Sequence, residues 1–195
     1  MDICFATNNI KKLEEIRHLL EPDFRVKSLA EIGCREELPE TGDTLEDNSL
    51  EKARYVLDHY GIACFADDTG LEVEALGGEP GVYSARYAGP ERDNEANINL
   101  VLQKLEGIEN RKARFRTVIT WVSEKETRQF EGIVEGEILP ERAGGKGFGY
   151  DPVFRPAGEE LSFAQMSMDE KNSMSHRGRA LRKFIEYISP EADKA

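Results

Sequence analysis

Two spacings of hydrophobic residues alternate along the first third of the chain. Residues 2–7 contain Ile3-Cys4-Phe5-Ala6, apolar at consecutive positions, which predicts a strand covered on both faces. Over residues 11–20 the apolar positions Leu13, Ile16 and Leu20 fall on one face of a helix, and a short strand follows. A second helix is predicted from about Thr44, with Asp47 as its capping-box partner and Leu45, Leu50, Ala53, Val56, Leu57 and Tyr60 at helical spacing. Residues 62–66 then form another apolar strand that runs into Asp67-Asp68-Thr69-Gly70, where it is expected to end in a glycine turn at the rim of a cleft. The paired aspartates fit two readings: carboxylates placed for chemistry, or an Asx turn in which Asp and Thr bond nearby amides. The order strand, helix, short strand, helix, strand is of α/β type.

The second half changes style. Residues 97–105 read as a helix. Residues 115–123 alternate and are rich in Val, Ile, Thr and Trp, 124–126 make a polar turn, and 129–138 alternate again, which predicts an antiparallel hairpin in a mixed sheet. Residues 142–152 are a glycine-rich loop. A final helix from about Ser175 to Ile188 packs through Leu181, Phe184, Ile185 and Ile188. No repeat, low-complexity tract or dividing linker interrupts the 195 residues, so a single domain with a substantial core is expected, either undivided or bilobed.

Composition narrows the partners. With 39% hydrophobic and 33% charged residues the chain reads as soluble and globular, and no apolar run approaches the roughly 18 residues of a membrane span. Met1-Asp2 leads almost at once into a strand, without the basic flank and apolar core of a secretion signal. Three cysteines cannot all pair, and Cys4 and Cys64 lie inside apolar runs, so the expected setting is a reducing cytoplasm. No cysteine pair has zinc-ligand spacing and His18, His59 and His176 are scattered, which argues against a Cys/His metal centre. A net charge of −12 argues against nucleic-acid polymers and membrane surfaces as partners. An anionic small molecule would need local lysines, backbone amides or a divalent cation.

Four stretches could meet that need. Thr7, Asn9 and Lys12 combine donors with the amides of a helix N-terminus, a ready anion site, although the Gly-x4-Gly-Lys-Ser/Thr spacing of a P-loop is absent. A capped helix with a solvated lysine fits the same residues. Glu40, in the rigid segment Leu38-Pro39-Glu40-Thr41-Gly42, could join Asp68 as the one or two carboxylates that Mg²⁺ takes beside phosphate oxygens and water. Lys52 lies on a different face from Leu50 and Ala53 and is either turned into the same cleft or solvated. In the glycine loop, backbone can approach a ligand while Phe148 offers a ring to stack on a base; a mobile surface loop is the alternative. Lys171, Ser175, His176 and Arg177 cluster around the start of the last helix, where a plain cap at Ser175 with His176 and Arg177 solvated is the alternative. No Ser-His-acid order stands out, which disfavours a nucleophilic hydrolase.

Taken in order, these segments resemble the inosine triphosphate pyrophosphatase, or Ham1-like, family over nearly the whole chain. The resemblance rests on Thr7-Asn8-Asn9-Ile10-Lys11-Lys12-Leu13-Glu14-Glu15, Leu38-Pro39-Glu40-Thr41-Gly42, residues 48–53, Ala66-Asp67-Asp68-Thr69-Gly70-Leu71 and Ala75-Leu76-Gly77-Gly78-Glu79-Pro80-Gly81. Beyond these it includes Tyr83-Ser84-Ala85-Arg86-Tyr87, residues 147–152, Glu170-Lys171 and Ser175-His176-Arg177. Each block is weakly specific and their order is highly specific. The resemblance implies an elongated, two-lobed α/β domain around a long mixed, twisted sheet with flanking helices, assembled as a homodimer. It also implies a Mg²⁺-dependent hydrolase that converts ITP, dITP and XTP to the monophosphate and pyrophosphate, cleansing the nucleotide pool. By position, Glu40 and Asp68 match the metal-binding acids, and Asp68 also the group that activates water. Thr7, Asn9, Lys12 and Lys52 match the triphosphate binders. Phe148, Asp151, Lys171, Ser175, His176 and Arg177 match positions that stack on and read the base, with Thr69, Gly149 and Tyr150 carried along as substrate contacts. Asp67 is left to shape the turn or to support from behind. Two departures, Asn8 where many relatives have Gly and Leu45-Glu46-Asp47-Asn48-Ser49 where many read Glu-Asn-Ala, bear on loop geometry.

Two other readings stay open at this point. A haloacid-dehalogenase-like phosphatase would explain Asp-Asp-Thr after a strand, but that chemistry wants Asp-x-Asp on the first strand. A nucleotide-binding regulator would keep the fold without turnover, and the presence of Glu40, Asp68, Lys12 and Lys52 together counts against it.

Overall fold

The computed structural model describes residues 2–20 and 24–189. Strand β1 (Asp2–Phe5) leads to helix α1 (Ile10–Leu20), strand β2 (Arg25–Lys27), helix α2 (Leu45–Tyr60) and strand β3 (Cys64–Val73). Then come β4 (Pro80–Gly81), α3 (Asn94–Lys104), β5 (Lys112–Val122), β6 (Thr127–Ile138), β7 (Phe154–Pro156), α4 (Met168–Met174) and α5 (His176–Ile188). The strands are ordered β2-β1-β3-β5-β6-β7, with β4 on β3. β1 is parallel to β2 and β3, whereas β3–β4 and β6–β7 are antiparallel, so the chain forms the mixed α/β fold expected. The turn between β5 and β6 closes with the Ser123 amide on the Glu126 carbonyl at 2.9 Å. Among the described residues no helix is long and apolar enough to cross a membrane.

The chain divides into two compact units, one from Met1–Asp68, Thr117–Gly132 and Gly178–Ala195, the other from Thr69–Arg116 and Ile133–Arg177. The first unit has two apolar clusters. In one, Phe5 and Phe65, opposite each other on β1 and β3, stack at 4.7 Å and take in Ile16, Leu20, Leu181 and Phe184. In the other, Ala53 and Val56 of α2 pack with Cys4, Cys34 and Cys64, all buried thiols. Burial, helped by Cys34 and Glu31, pushes the Cys4 thiol up to about 12, the behaviour of an inert packing residue. In the second unit Ile98, Val101 and Leu105 of α3 meet Phe115, Tyr150, Phe154 and Phe163. Arg111 ties this core together by donating to the carbonyls of Leu105, Ile138 and Leu139 at 3.0–3.1 Å.

Three expectations need correction. The strand carrying Asp67 and Asp68 does not end in a turn: β3 continues through Gly70 to Val73. Gly70 permits this because a Cβ there would lie 2.7 Å from the Gly81 carbonyl oxygen, so the glycine serves a close strand approach. The predicted last helix is preceded by a second one, α4, and Ser175 separates them, its amide bonded to the Lys171 carbonyl at 2.8 Å as the C-cap of α4. A capping box between Ser167 and Glu170 starts α4, a local signal that the hydrophobic spacing did not carry. β7, too short for a periodic pattern, was not expected.

Candidate active site

In the first unit, α2 supplies the lysine for which spacing left two options. Lys52 is 6% exposed; its ammonium donates to Glu40 Oε1 and to the Asp67 carbonyl, each at 2.7 Å, with Asp68 Oδ1 at 3.8 Å. Burial works against the ammonium charge, but the carboxylates of Asp68, Glu40 and Asp67 outweigh it and hold its pKa above the usual lysine value. The segment carrying Glu40 is tied to side chains of the same helix. The amide and hydroxyl of Thr41 meet Glu51 at 2.7 and 2.8 Å, and the Gly42 amide donates to Asn48 Oδ1 at 2.8 Å. The Thr44 hydroxyl accepts the Asp47 amide at 3.0 Å and caps α2 as the sequence predicts.

Neighbouring residues of a strand face opposite ways, and the two aspartates serve different helices accordingly. Asp67, 1% exposed, accepts from Lys12 Nζ of α1 at 3.1 Å. Asp68 accepts from Asn48 Nδ2 of α2 at 3.2 Å. Asp67 thus shapes no turn; it fixes a lysine. Burial raises the Asp68 carboxyl above its usual pKa, with Lys52 and Lys12 opposing and Glu40 and Asp67 adding to the rise. At the first turn Thr7 Oγ1 accepts the Asn9 amide at 3.1 Å and Asn9 Oδ1 accepts the Lys12 amide at 3.2 Å, so both side chains order the start of α1.

No group of three or more His, Cys, Asp or Glu among the described residues could cage a metal ion. Glu40 and Asp68 instead converge on one ammonium. That donor set fits a hard cation such as Mg²⁺, which takes one or two carboxylates and completes its shell with phosphate oxygens and water.

In the second unit the ring of half-buried Phe148 has the Lys171 ammonium 4.9 Å and the Arg177 guanidinium carbon 5.5 Å from its centroid. Lys171 Nζ donates to Asp151 Oδ2 at 2.7 Å, both side chains being buried, and the same oxygen accepts the Phe148 amide at 3.0 Å. Gly147, with φ of +72°, makes room for this: any Cβ there would strike the Asp151 carboxylate. His176, 3% exposed, lies flat on Phe115, with centroids 4.6 Å apart and planes 15° apart. Arg177, 2% exposed, donates from Nη2 to Thr69 Oγ1 at 3.4 Å. Ser175 is buried. Tyr150 sits apart from this group: its side chain belongs to the core and its hydroxyl donates to the Ser84 carbonyl at 2.7 Å. Gly149, beside it, stays half-buried in the loop with φ of +59°.

Each unit therefore gathers its own set: Thr7, Asn9, Lys12, Glu40, Lys52 and Asp68 in the first, and Thr69, Phe148, Asp151, Lys171, Ser175, His176 and Arg177 in the second. Sequence reasoning passed over Asn48 and Phe115. Asn48 stands four residues before Lys52, on the same helical face, and that spacing was the available signal. Phe115 read as one more apolar residue of an alternating strand.

The sequence matches the profile of the Ham1 family over residues 3–187. The dITP/XTP pyrophosphatase of Christiangramia forsetii is 52% identical over 189 residues, 97% of this chain and all of that protein. The dITP/XTP pyrophosphatase of Bacillus subtilis is 48% identical, covering 96% of each chain. Among solved structures, the Staphylococcus aureus Ham1 protein superposes with a TM-score of 0.88 at 38% identity over the whole of both chains. The chain belongs to the Ham1 family.

Proposed function

We propose that this protein is a Mg²⁺-dependent pyrophosphohydrolase of purine nucleoside triphosphates, acting on dITP, XTP and ITP to give the monophosphate and pyrophosphate. The observation that carries this reading is the convergence of Glu40, Asp68 and the Asp67 carbonyl on buried Lys52, with Lys12 held by Asp67. An acidic chain that is to bind a triphosphate must supply positive charge locally, and two lysines fixed by carboxylates do so without side-chain ordering at the moment of binding. The names of the relatives from Christiangramia forsetii and Bacillus subtilis favour the same chemistry.

Glu40 and Asp68 would hold the cation, which when bound neutralises phosphate charge and stabilises the transition state. Asp68 has a second task. Its Oδ2 is engaged by Asn48 while Oδ1 lies 3.8 Å from the Lys52 ammonium, and Oδ1 would take the proton of the attacking water. The water oxygen bonds to the α-phosphorus, the bond from that phosphorus to the α,β-bridging oxygen breaks, and pyrophosphate leaves. Burial raises the pKa of the Asp68 carboxyl and so its basicity, with Lys52 and Lys12 opposing the rise. Lys12, Lys52, Thr7 and Asn9 would bind the phosphates. No covalent nucleophile is needed, and positioning with charge stabilisation does most of the work.

In the second unit Phe148 offers a stacking face, and His176, Arg177 and Lys171 offer donors to a 6-oxo group. Adenine presents an amino donor there and would leave those groups unpaired. Pyrophosphate release from ITP, XTP, dITP, GTP and ATP, measured with and without Mg²⁺, tests the reading. Faster release from the oxo-purines that carry no 2-amino group is expected, and no turnover of any of the five would overturn it.

A further inference from the structure

We propose that Asn48 is a positioning residue that locks the two candidate metal carboxylates into one geometry. Its carboxamide bridges the segment carrying Glu40 and the carboxylate of Asp68. The Gly42 amide is a donor, so Oδ1 must face it, at 2.8 Å, and this turns Nδ2 toward Asp68 Oδ2, at 3.2 Å. The side chain is 1% exposed, so water cannot replace either bond. Gly42 permits the close approach: a Cβ there would lie 2.5 Å from Asp47 Cβ and 3.1 Å from Asn48 Oδ1. Few other side chains present a donor and an acceptor from one rigid plane of that size. A carboxylate in its place would lack the donor, and a hydroxyl would be too short to span both.

Lys52, one turn further along α2, draws Glu40 and Asp68 together through charge, but an ammonium has no preferred direction. The amide adds direction. With Oδ2 engaged by Asn48, Asp68 presents Oδ1 toward Lys52, and rotation of the carboxylate is opposed. The inference rests on the two-carboxylate reading above. Partners of metal-ligating groups commonly contribute about 10- to 100-fold in metal affinity or activity.

The test compares wild-type protein, Asn48→Ala and Thr41→Val. The last loosens the same segment from α2 at the Thr41 hydroxyl contact with Glu51 and leaves both carboxylates untouched. The Mg²⁺ concentration for half-maximal ITP turnover is measured, together with direct Mn²⁺ binding by electron paramagnetic resonance. Asn48→Ala is expected to raise the Mg²⁺ requirement and weaken Mn²⁺ binding by about 10- to 100-fold, with Thr41→Val within about twofold of wild type. If Asn48→Ala does not fold, Asn48→Ser is read by the same two measurements. Equal Mg²⁺ requirement and Mn²⁺ affinity in wild type and the Asn48 variant would overturn the proposal and leave the function standing. Wild-type turnover that needs no divalent cation would overturn the two-carboxylate reading itself, and Asn48's role with it.

Discussion

The two units solve the problem of a buried cation in different ways. In the first, Lys52 is surrounded by oxygen: Glu40, the Asp67 carbonyl and Asp68. In the second, Lys171 meets the Asp151 carboxylate on one side and the rings of Phe148 and Phe163 on the other, at 4.9 and 5.7 Å. An oxygen shell holds charge that an incoming phosphate or cation can share. An aromatic shell holds charge with weaker, directional attraction and keeps flat surfaces for a flat ligand. The difference follows the chemistry proposed for each unit, phosphate and metal in the first, the purine base in the second.

The largest effect is expected at Asp68. Asp68→Asn should lower kcat for ITP by at least about 100- to 1000-fold while leaving the thermal midpoint near wild type, as for loss of a transition-state stabiliser. Steady-state kinetics beside a thermal melt would check this, and near-normal turnover would remove Asp68 from the role of base.

The oxygen-rich and ring-rich shells should also respond differently to loss of one carboxylate. Glu40→Gln leaves Lys52 with the Asp67 carbonyl and Asp68. Asp151→Asn breaks the buried Lys171–Asp151 ion pair, and removing one partner of a buried pair costs on the order of 3–5 kcal/mol. Urea denaturation should therefore show a greater loss for Asp151→Asn than for Glu40→Gln; equal losses would erase the contrast.

A smaller effect is expected at Phe115, on which His176 lies. Phe115→Leu keeps an apolar core residue but removes the stacking face, worth about 0.5–1.5 kcal/mol beyond area burial. The informative readout is specificity: the ratio of ITP to ATP turnover should narrow, and an unchanged ratio would place base reading elsewhere.

The smallest belongs to an exposed contact of the first unit. The Tyr60 hydroxyl donates to Glu36 at 2.5 Å and, as the main cause, holds that carboxyl down to about 2. A carboxyl depressed in the folded state adds stability above its ordinary pKa and loses it as the pH falls through that value toward about 2. Tyr60→Phe should lower stability slightly at neutral pH, and its stability curve should converge with that of the wild type as the pH falls through that window toward about 2, which denaturation at stepped pH would reveal.

Much of the fold was legible because its signals are local. Consecutive apolar residues around Cys4 and Cys64 marked covered strands, Thr44 with Asp47 marked a helix start, and alternation on both sides of residues 124–126 marked a hairpin. The misreading at Asp67-Asp68-Thr69-Gly70 has the same origin. A Gly after polar residues looks like a turn in one dimension, and only the approach of Gly81 explains why the strand needs it. The candidate residues were recoverable from the order of short blocks, whereas the partners that fix them were not. Asn48 and Phe115 carry no mark of their role, since an amide on a helix and a ring on a strand are ordinary in their local settings.

What the amino-acid sequence determined by itself is the set of elements and the chemical inventory. Periodicity follows from backbone geometry over a few residues, and the excess of acid over base requires cationic help for any anionic ligand. What only the tertiary structure decided is which groups are coupled. Lys52 could have faced solvent, and Asp67 and Asp68 could have acted as a pair. Their contacts were set when α1 brought Lys12 to Asp67 on β3 and α2 brought Asn48 and Lys52 to Asp68. The physical reason is that a hydrogen bond or ion pair depends on distances of about 3 Å between groups remote in sequence, and only burial gives such contacts their selectivity.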